Sequence, residues 1–370
     1  MQGAKKGGQL TTSMGTRGSI GSVLIALTLA ACATEPVSTV IDLTPGSEVS
    51  GRVWPRPPEI PRYQYMGVLL GEQNVRRSDG SAAGDSGGGF WRWLTGMGES
   101  PHQPVVLQRP QSGVTDSEGR IYVTDVSRQA VFVFDVPQGK LHLWEYAEET
   151  RRFVSPVGIV IDNNGDVLVA DAELKQVFRF APDGSHRGSF GEGLLQRPTG
   201  LAMDRERGHL YVADTDAGDI KVFNQRGELL DTVGFRGTAK GRLNRPVYLA
   251  FAHDRLYVTD TLNARIQVFD REGNALQVIG QRGLFVGNLT RPKGVAVDDE
   301  GHVYVVEGFY DYLLVFGARG EFLMAMGGTG QEEGQFYLPT GVWTDQHNRV
   351  YIADMFNGRV SIFQFLGEEQ

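Results

Sequence analysis

One short phrase recurs six times along the chain, and it limits the possible folds more than any other feature. In each copy an apolar run with tyrosine or leucine in its second position ends in an acidic residue, and successive acids lie 46, 43, 46, 47 and 47 residues apart. A fixed period of this length indicates a solenoid, a propeller or an array, in which each unit buries its apolar surface against its neighbours. The six acids are Asp125, Asp171, Asp214, Asp260, Glu307 and Asp354.

The units share an internal order that predicts four strands in each. A Pro-x-Gly entry opens a short apolar run, and polar turns separate this run from the repeated phrase, from a strand such as Ile220–Phe223 and from a last strand that ends at Gly234. Apolar, β-branched and aromatic runs bounded by glycine, asparagine and aspartate are typical of strands. Six such units predict an all-β, six-bladed β-propeller with four-stranded antiparallel blades over residues 105–365.

The composition agrees with this fold and excludes two others. The 370 residues include 49 glycines and a single cysteine. A helical bundle avoids so many glycines because each one inside a helix costs about 1 kcal/mol, and a disulfide scaffold needs paired cysteines. The glycines are instead expected at blade entries, hairpin turns and inter-blade loops.

The repeat also resembles a known family. Pro-x-Gly is followed by Tyr-Val-x-Asp and then by runs such as Asn263–Phe269 and Asn357–Phe363, an order similar to that of the NHL repeat. The resemblance implies a six-bladed propeller of the NHL or TolB-like type. Two positions depart from the pattern, because Tyr248 replaces the entry glycine of the fourth blade and Glu307 replaces the aspartate of the fifth.

The sixth unit lacks a fourth strand, because only five residues follow Phe365. The apolar run Tyr65–Leu70 near the N-terminus is the segment expected to supply it. We therefore predict that an N-terminal strand within residues 62–71 closes the ring, which removes the open edge of the sheet. The propeller domain then spans residues 62–370, and residues 72–104 form an insertion between the closing strand and the first blade.

The N-terminus has the features of an export signal. Basic residues are followed by an apolar stretch of 12 residues, Ile20–Ala31, which is too short for a spanning helix of roughly 20 residues. It ends in Leu29-Ala30-Ala31-Cys32, which resembles the lipobox of bacterial lipoproteins. The resemblance implies that residues 1–31 are removed and that Cys32 carries the lipid, a palmitate-type anchor. An ordinary signal peptidase site with a chance cysteine is the alternative.

The anchor and the charge together predict where the protein acts. Ala33 stands where an aspartate would resemble an inner-membrane retention signal, so we expect the outer membrane. Six prolines between residues 33 and 61 predict an extended tether over residues 32–61. The net charge is −8, and loss of the signal makes it more negative. Because an acidic protein repels phosphate backbones, we expect no nucleic acid partner and membrane contact through the anchor only.

Position in the repeat predicts which residues can meet a ligand. We name two faces of the ring: the loop face carries the loops between second and third strands and those between blades, and the hairpin face carries the remaining turns. Ligands of propellers usually lie on the loop face and in the channel. The candidate ligand-binding residues on that face are Arg109, Arg197, Arg245, Arg291, Tyr248 and Lys293.

The four arginines share one place in the repeat, directly before the entry proline. They lie near the ends of the strands that carry the repeated acids, and one interpretation is a repeated bridge between arginine and carboxylate that joins neighbouring elements. The other is a ring of guanidinium groups that binds an anionic ligand.

The sequence contains no strong pattern for a metal or cofactor site. Asp214, Asp216 and Asp219 lie in one loop and are candidates for a calcium site through oxygen ligands. NHL-type lyases hold zinc with histidines, but His209, His253, His302 and His347 are expected on the hairpin face. We predict no catalytic residue and no cofactor.

The insertion holds a cluster of aromatic residues, Phe90, Trp91 and Trp93, which would be unusual if exposed. They either pack on the propeller as a plug or dock a partner. The sequence as a whole favours a monomeric ring that acts as a binding or scaffolding module for proteins or cell-envelope polymers. The alternative is a metal-dependent enzyme of the lactonase or lyase type that uses the central channel.

Overall fold

The computed structural model describes residues 38–44, 51–77 and 104–367. Before the first repeat it contains strands β1 (Thr39–Ile41), β2 (Val53–Trp54), β3 (Tyr63–Leu69) and β4 (Val75–Arg77). Single turns of 3₁₀ helix occur at Glu72–Asn74, Thr261–Asn263 and Met355–Asn357. Cys32, Phe90, Trp91 and Trp93 lie outside the described residues.

The repeats form six antiparallel sheets, which we number as blades 1 to 6 in chain order. Blades 1 to 3 consist of β5 (Pro110–Thr115), β6 (Ile121–Asp125), β7 (Ala130–Asp135) and β8 (Lys140–Trp144); β9 (Pro156–Ile161), β10 (Val167–Asp171), β11 (Gln176–Phe180) and β12 (His186–Phe190); and β13 (Pro198–Asp204), β14 (His209–Asp214), β15 (Asp219–Phe223) and β16 (Leu229–Val233). Blades 4 to 6 consist of β17 (Pro246–Ala252), β18 (Arg255–Asp260), β19 (Arg265–Phe269) and β20 (Ala275–Ile279); β21 (Pro292–Val297), β22 (Val303–Glu307), β23 (Tyr312–Phe316) and β24 (Phe322–Gly327); and β25 (Val342–Thr344), β26 (Arg349–Asp354) and β27 (Arg359–Phe365) together with β3 and β2.

The first strands of the blades form the inner wall of the ring. Each contacts the first strand of the next blade, and β25 of blade 6 returns to β5 of blade 1. The apolar core is divided into six clusters, each shared between two consecutive blades. This confirms the predicted six-bladed propeller, in which no blade buries its surface alone.

The repeated acid fixes the loop that enters each blade. The Asp171 carboxylate accepts backbone hydrogen bonds from Val154 and Ser155, at 2.8 and 3.0 Å, and from two N–H groups of its own following loop. Glu307 accepts from Thr290 and Arg291 in the same way. Carboxylates bonded to backbone N–H groups satisfy donors that would otherwise be buried without partners. The acid therefore recurs because it joins the end of each second strand to the entry of the same blade.

The entry glycine is required by the close approach of neighbouring inner strands. A Cβ atom at Gly158 would lie 2.0 Å from the carbonyl oxygen of Thr199 in the next blade, and one at Gly341 would lie 2.3 Å from that of Gln111. Real Cβ contacts are never that short, so any side chain would separate the blades. The Pro-x-Gly entry is thus a packing requirement of the inner wall.

The ring closes as predicted, with an N-terminal strand in the place of the missing one. Strand β3 pairs antiparallel with β27, from Tyr63 opposite Phe365 to Leu69 opposite Val360. The Tyr63 hydroxyl lies 3.1 Å from that of Tyr304 in blade 5, which donates to Asp298 at 2.8 Å. Strand β2 adds a fifth strand outside β3.

Part of the stretch expected to be a tether is instead packed on the propeller. Strand β1 pairs with β4, and the Leu43 carbonyl accepts a hydrogen bond from Val68 at 2.7 Å. Trp54 contacts Phe363 edge to face at 5.3 Å between ring centroids. The prolines predicted an extended chain, but apolar residues between them, such as Trp54, pack on the propeller. Within the described residues, no helix is long and apolar enough to cross a membrane.

Candidate functional site

Two adjacent inter-blade loops give the loop face a strongly basic sector, which we call the basic sector: residues 234–245, between blades 3 and 4, and residues 280–291, between blades 4 and 5. Together they hold six basic residues and no acidic one, in a protein whose net charge is −8. The six are Arg236, Lys240, Arg242, Arg245, Arg282 and Arg291. Such an asymmetry creates a local positive potential that the overall charge does not reveal.

Most of these cations are bonded to neutral groups. Arg282 donates to the Leu262 carbonyl at 2.7 Å, Lys240 donates to the Leu276 carbonyl at 2.9 Å, and Arg242 lies over the Phe235 ring. Arg245 pairs with Asp216 at 3.2 Å, and both side chains are about half exposed. Because carbonyls and rings do not cancel charge, most of the positive charge of the basic sector is retained.

The four arginines before the entry prolines do not pair with the repeated acids themselves, but two of them form carboxylate bridges between neighbouring blades, Arg197 with Glu173 and Arg245 with Asp216. Arg109, Arg197 and Arg291 bond those acids through their backbone N–H groups. Their side chains are therefore left for other contacts: Arg197 pairs with Glu173 at 2.6 Å, and Arg109 lies over the Phe356 ring. The sequence placed the residues on the correct loops but could not show that the backbone would take the acid.

Tyr248 fills the channel. It is 7% exposed, and its hydroxyl donates to the Gln111 carbonyl at 2.9 Å. Gln111 belongs to blade 1, which is diametrically opposite blade 4 in a ring of six. The side chain that replaces an entry glycine therefore crosses the axis, and burial raises its pKa.

Lys293 lies at the loop-face end, as the second residue of β21. Its stem passes over Gly308, where an added Cβ would lie 3.2 Å from Lys293 Cγ. Burial lowers the pKa of its ammonium, and the charges of Arg291 and Arg245 lower it further. Two blades thus bring three cations together at one edge of the inner wall.

The most exposed apolar residues of the described chain lie in the same sector. Leu284, Phe285 and Val286 are 76%, 82% and 59% exposed and are consecutive in the loop between β20 and β21. Exposed apolar side chains on other loops of this face are Phe235, Leu262, Phe309, Tyr337 and Phe356. Large exposed apolar patches with polar rims mark interaction surfaces. Three apolar residues between Gly283 and Gly287 were the signal that sequence reasoning missed.

The residues considered for metals are committed to separate partners. Asp214 accepts backbone hydrogen bonds from Gln196 and Arg197, Asp216 pairs with Arg245, and Asp219 pairs with Lys221 at 2.7 Å. Across residues 38–44, 51–77 and 104–367, no group of three or more His, Cys, Asp or Glu side chains is arranged to hold a metal ion.

The hairpin face also has a depression, with a volume of about 840 Å³. It is lined by polar and charged groups from several blades, including Asp116, Arg120, Arg205 and His347. Asp116 already bonds Arg120 at 2.7 Å and Tyr122 at 3.1 Å, so these charges are internally satisfied. This depression is the main competitor of the loop face as a binding site.

Comparison with known proteins agrees with the repeat. The model of the NHL repeat matches residues 153–180 and 195–223. Among solved structures, an auxiliary nutrient binding protein from Bacteroides ovatus superposes with a TM-score of 0.57 at 14% identity, covering 89% of this chain and 77% of that one. A gluconolactonase from Xanthomonas campestris superposes with a TM-score of 0.54 at 16% identity, covering 70% and 86%. At these identities the likeness concerns the fold alone.

Two relatives share sequence as well. The Drosophila melanogaster protein brain tumor is 26% identical over 128 residues, which are 34% of this chain but only 12% of that protein. The human NHL-repeat-containing protein 4 is 34% identical over 122 residues, which are 32% of this chain and 89% of that protein. Since nearly all of the human protein is matched and the fold is the expected ring, this chain belongs to the NHL-repeat proteins.

Proposed function

We propose that this protein is a binding module of the bacterial cell envelope, a monomeric ring that holds a protein or an envelope polymer on its loop face. Lipidation at Cys32 and retention at the outer membrane belong to this proposal and rest on the signal-like N-terminal sequence. A binding role is compatible with the fold, which is shared with nutrient-binding proteins as well as with a lactonase. Fold alone does not decide function.

The observation that carries the proposal is the exposure of Leu284, Phe285 and Val286 within the basic sector. Apolar anchors surrounded by cations are the composition expected of a recognition surface, because the anchors supply binding energy and the charges supply orientation and association rate. Tyr248, which fills the channel, favours a surface binder over an enzyme whose active site lies in the channel.

The proposal is tested by capture with matched variants. The tagged protein is incubated with envelope extracts, and bound material is compared with that of Leu284→Ser/Phe285→Ser/Val286→Ser. We expect the partner to bind this variant at least tenfold more weakly, since anchor residues account for most interface energy. The control is Leu229→Ser/Leu230→Ser/Leu276→Ser, which removes exposed leucines from outer strands.

Equal binding by both variants would contradict a loop-face role. Thermal unfolding of each variant ensures that a loss of binding is not a loss of fold. Stoichiometric calcium or zinc in the purified protein would contradict the proposal in another way, because it would support the metal-dependent lactonase or lyase function.

A further inference from the structure

We propose that Lys293, with Arg245 and Arg291 beside it, forms an oxyanion-binding site at the loop-face end of the channel, which takes a carboxylate or phosphate group of the ligand. We call this cluster the Lys293 site. The inference deepens the proposed function and rests on it, since it assigns a chemical class to the group that the loop face recognises.

The first argument is that the Lys293 ammonium has no hydrogen-bond or ion-pair partner among the described residues. Among the other described lysines, Lys221 pairs with Asp219, while Lys240 and Lys140 donate to oxygen atoms at 2.9 and 3.3 Å. Lys175 is exposed to water. Among the lysines of residues 38–44, 51–77 and 104–367, Lys293 alone is partly buried without a hydrogen bond or ion pair to another described residue.

The second argument is the charge around the ammonium. Arg291 lies two residues before Lys293 at the start of β21, and Arg245 holds the equivalent position before β17, which packs against β21. Both positive charges act on the Lys293 ammonium. The nearby acids are engaged elsewhere, because Asp216 pairs with Arg245 and the Glu307 carboxylate accepts three backbone N–H groups. A partly buried ammonium beside two guanidinium groups loses its proton more readily, and a bound anion is the partner that would stabilise its charged form.

The third argument is the direction of approach. Lys293 is the second residue of β21, at the loop-face end of the inner wall, and Tyr248 reaches across the axis to Gln111 on the far wall. An oxyanion therefore reaches Lys293 from the loop face, past the basic sector. The guanidinium groups of Arg245 and Arg291 can each offer paired donors to the oxygens, while Lys293 supplies a point charge.

The experiment uses small anions as probes. Thermal unfolding of the full protein is followed with inorganic phosphate, with succinate and with chloride, all at one ionic strength. We expect phosphate or succinate, but not chloride, to raise the Tm by several degrees with saturation, as a ligand that binds only the folded state does. Phosphate and succinate in separate arms distinguish a phosphate site from a carboxylate site.

Variants identify the site. Lys293→Met should abolish the saturable shift, whereas Lys140→Met, which removes a lysine of blade 1 that lies outside the basic sector and already has a partner, should preserve it. An equal effect of both variants, or no saturable shift with any probe, would overturn the inference. The triple serine variant separates the two proposals: we expect it to lose the partner and keep the anion shift. Loss of the anion shift in that variant would contradict a separate Lys293 site.

Discussion

At the scale of single residues, the six repeated acids and Lys293 have opposite relations to their surroundings. Asp171 receives four backbone hydrogen bonds and stabilises the loop that it holds. Lys293 receives no compensating contact from the described chain, and burial and two neighbouring arginines lower the pKa of its ammonium. The first pattern is typical of a structural residue and the second of a functional one, since functional sites retain groups with shifted pKa values.

Replacement of a repeated acid should cost stability. Asp171→Ala leaves the N–H groups of Val154, Ser155, Glu173 and Leu174 without their acceptor. We expect a loss of about 3 kcal/mol, or roughly 6–12 °C in Tm. Glu192→Ala is the control, because Glu192 is exposed and should change stability by less than about 0.5 kcal/mol. A melting curve of Asp171→Ala like that of the control would refute the structural role.

Removal of Lys293 should raise the stability of the folded protein instead of lowering it. Its pKa is lower in the folded state than in the unfolded chain, so the unfolded chain binds more protons between the two values. The free energy of unfolding therefore rises with pH between the two pKa values. Below both values it is lowered by a constant amount, because the lysine is charged in both states. Lys293→Met should raise the Tm at pH 7 by a few degrees and flatten the alkaline rise. Denaturant unfolding between pH 7 and 10.5 measures both, and a destabilised variant would contradict this account.

At the scale of elements, the sequence predicted which segments are strands but not every contact between them. The period of the repeat was enough to predict the strands of each blade. The closing strand could also be predicted within residues 62–71, because blade 6 lacks a fourth strand of its own. The packing of β1 and β2 was not predicted, because strands of three and two residues carry little pattern. The individual partners of the entry arginines could not be predicted for a related reason, because the backbone that binds the repeated acid is placed only by the ring.

The inner wall should be intolerant of side chains at the entries. Gly158→Ala places a Cβ against the Thr199 carbonyl at 2.0 Å and must displace blade 3. Gly165→Ala is the matched control, because it suffers only from its positive φ and has no atom within 4 Å of its Cβ. The control should lose about 1 kcal/mol, and Gly158→Ala should lose considerably more. Equal losses in denaturant unfolding would show that the inner wall can expand.

The closing strand should be indispensable to the ring. A chain that begins at residue 62 keeps β3, while one that begins at residue 72 exposes the edge of β27. The shorter chain should unfold or aggregate, because an open edge strand pairs with other chains. The longer one should stay a folded monomer. Light scattering and thermal unfolding compare the two, and identical cooperative melting would be incompatible with the closure.

At the scale of the whole molecule, the two faces differ in what they offer. The hairpin face has a polar depression in which Asp116 pairs with Arg120. The loop face combines exposed apolar residues with cations that lack carboxylate partners. The sequence pointed to the loop face through the position of the arginines, yet the concentration of charge and apolar surface between blades 3 and 5 became visible only when the ring placed the loops side by side.

Hydrogen exchange of the protein with and without its captured partner tests the central claim most directly. The account predicts slower exchange in residues 234–245 and 280–291 when the partner is bound, and unchanged exchange in the hairpin turns around Asp116, Arg205 and His347. Protection of those hairpin turns, with the two loops unchanged, would place the binding site on the opposite face and contradict the account.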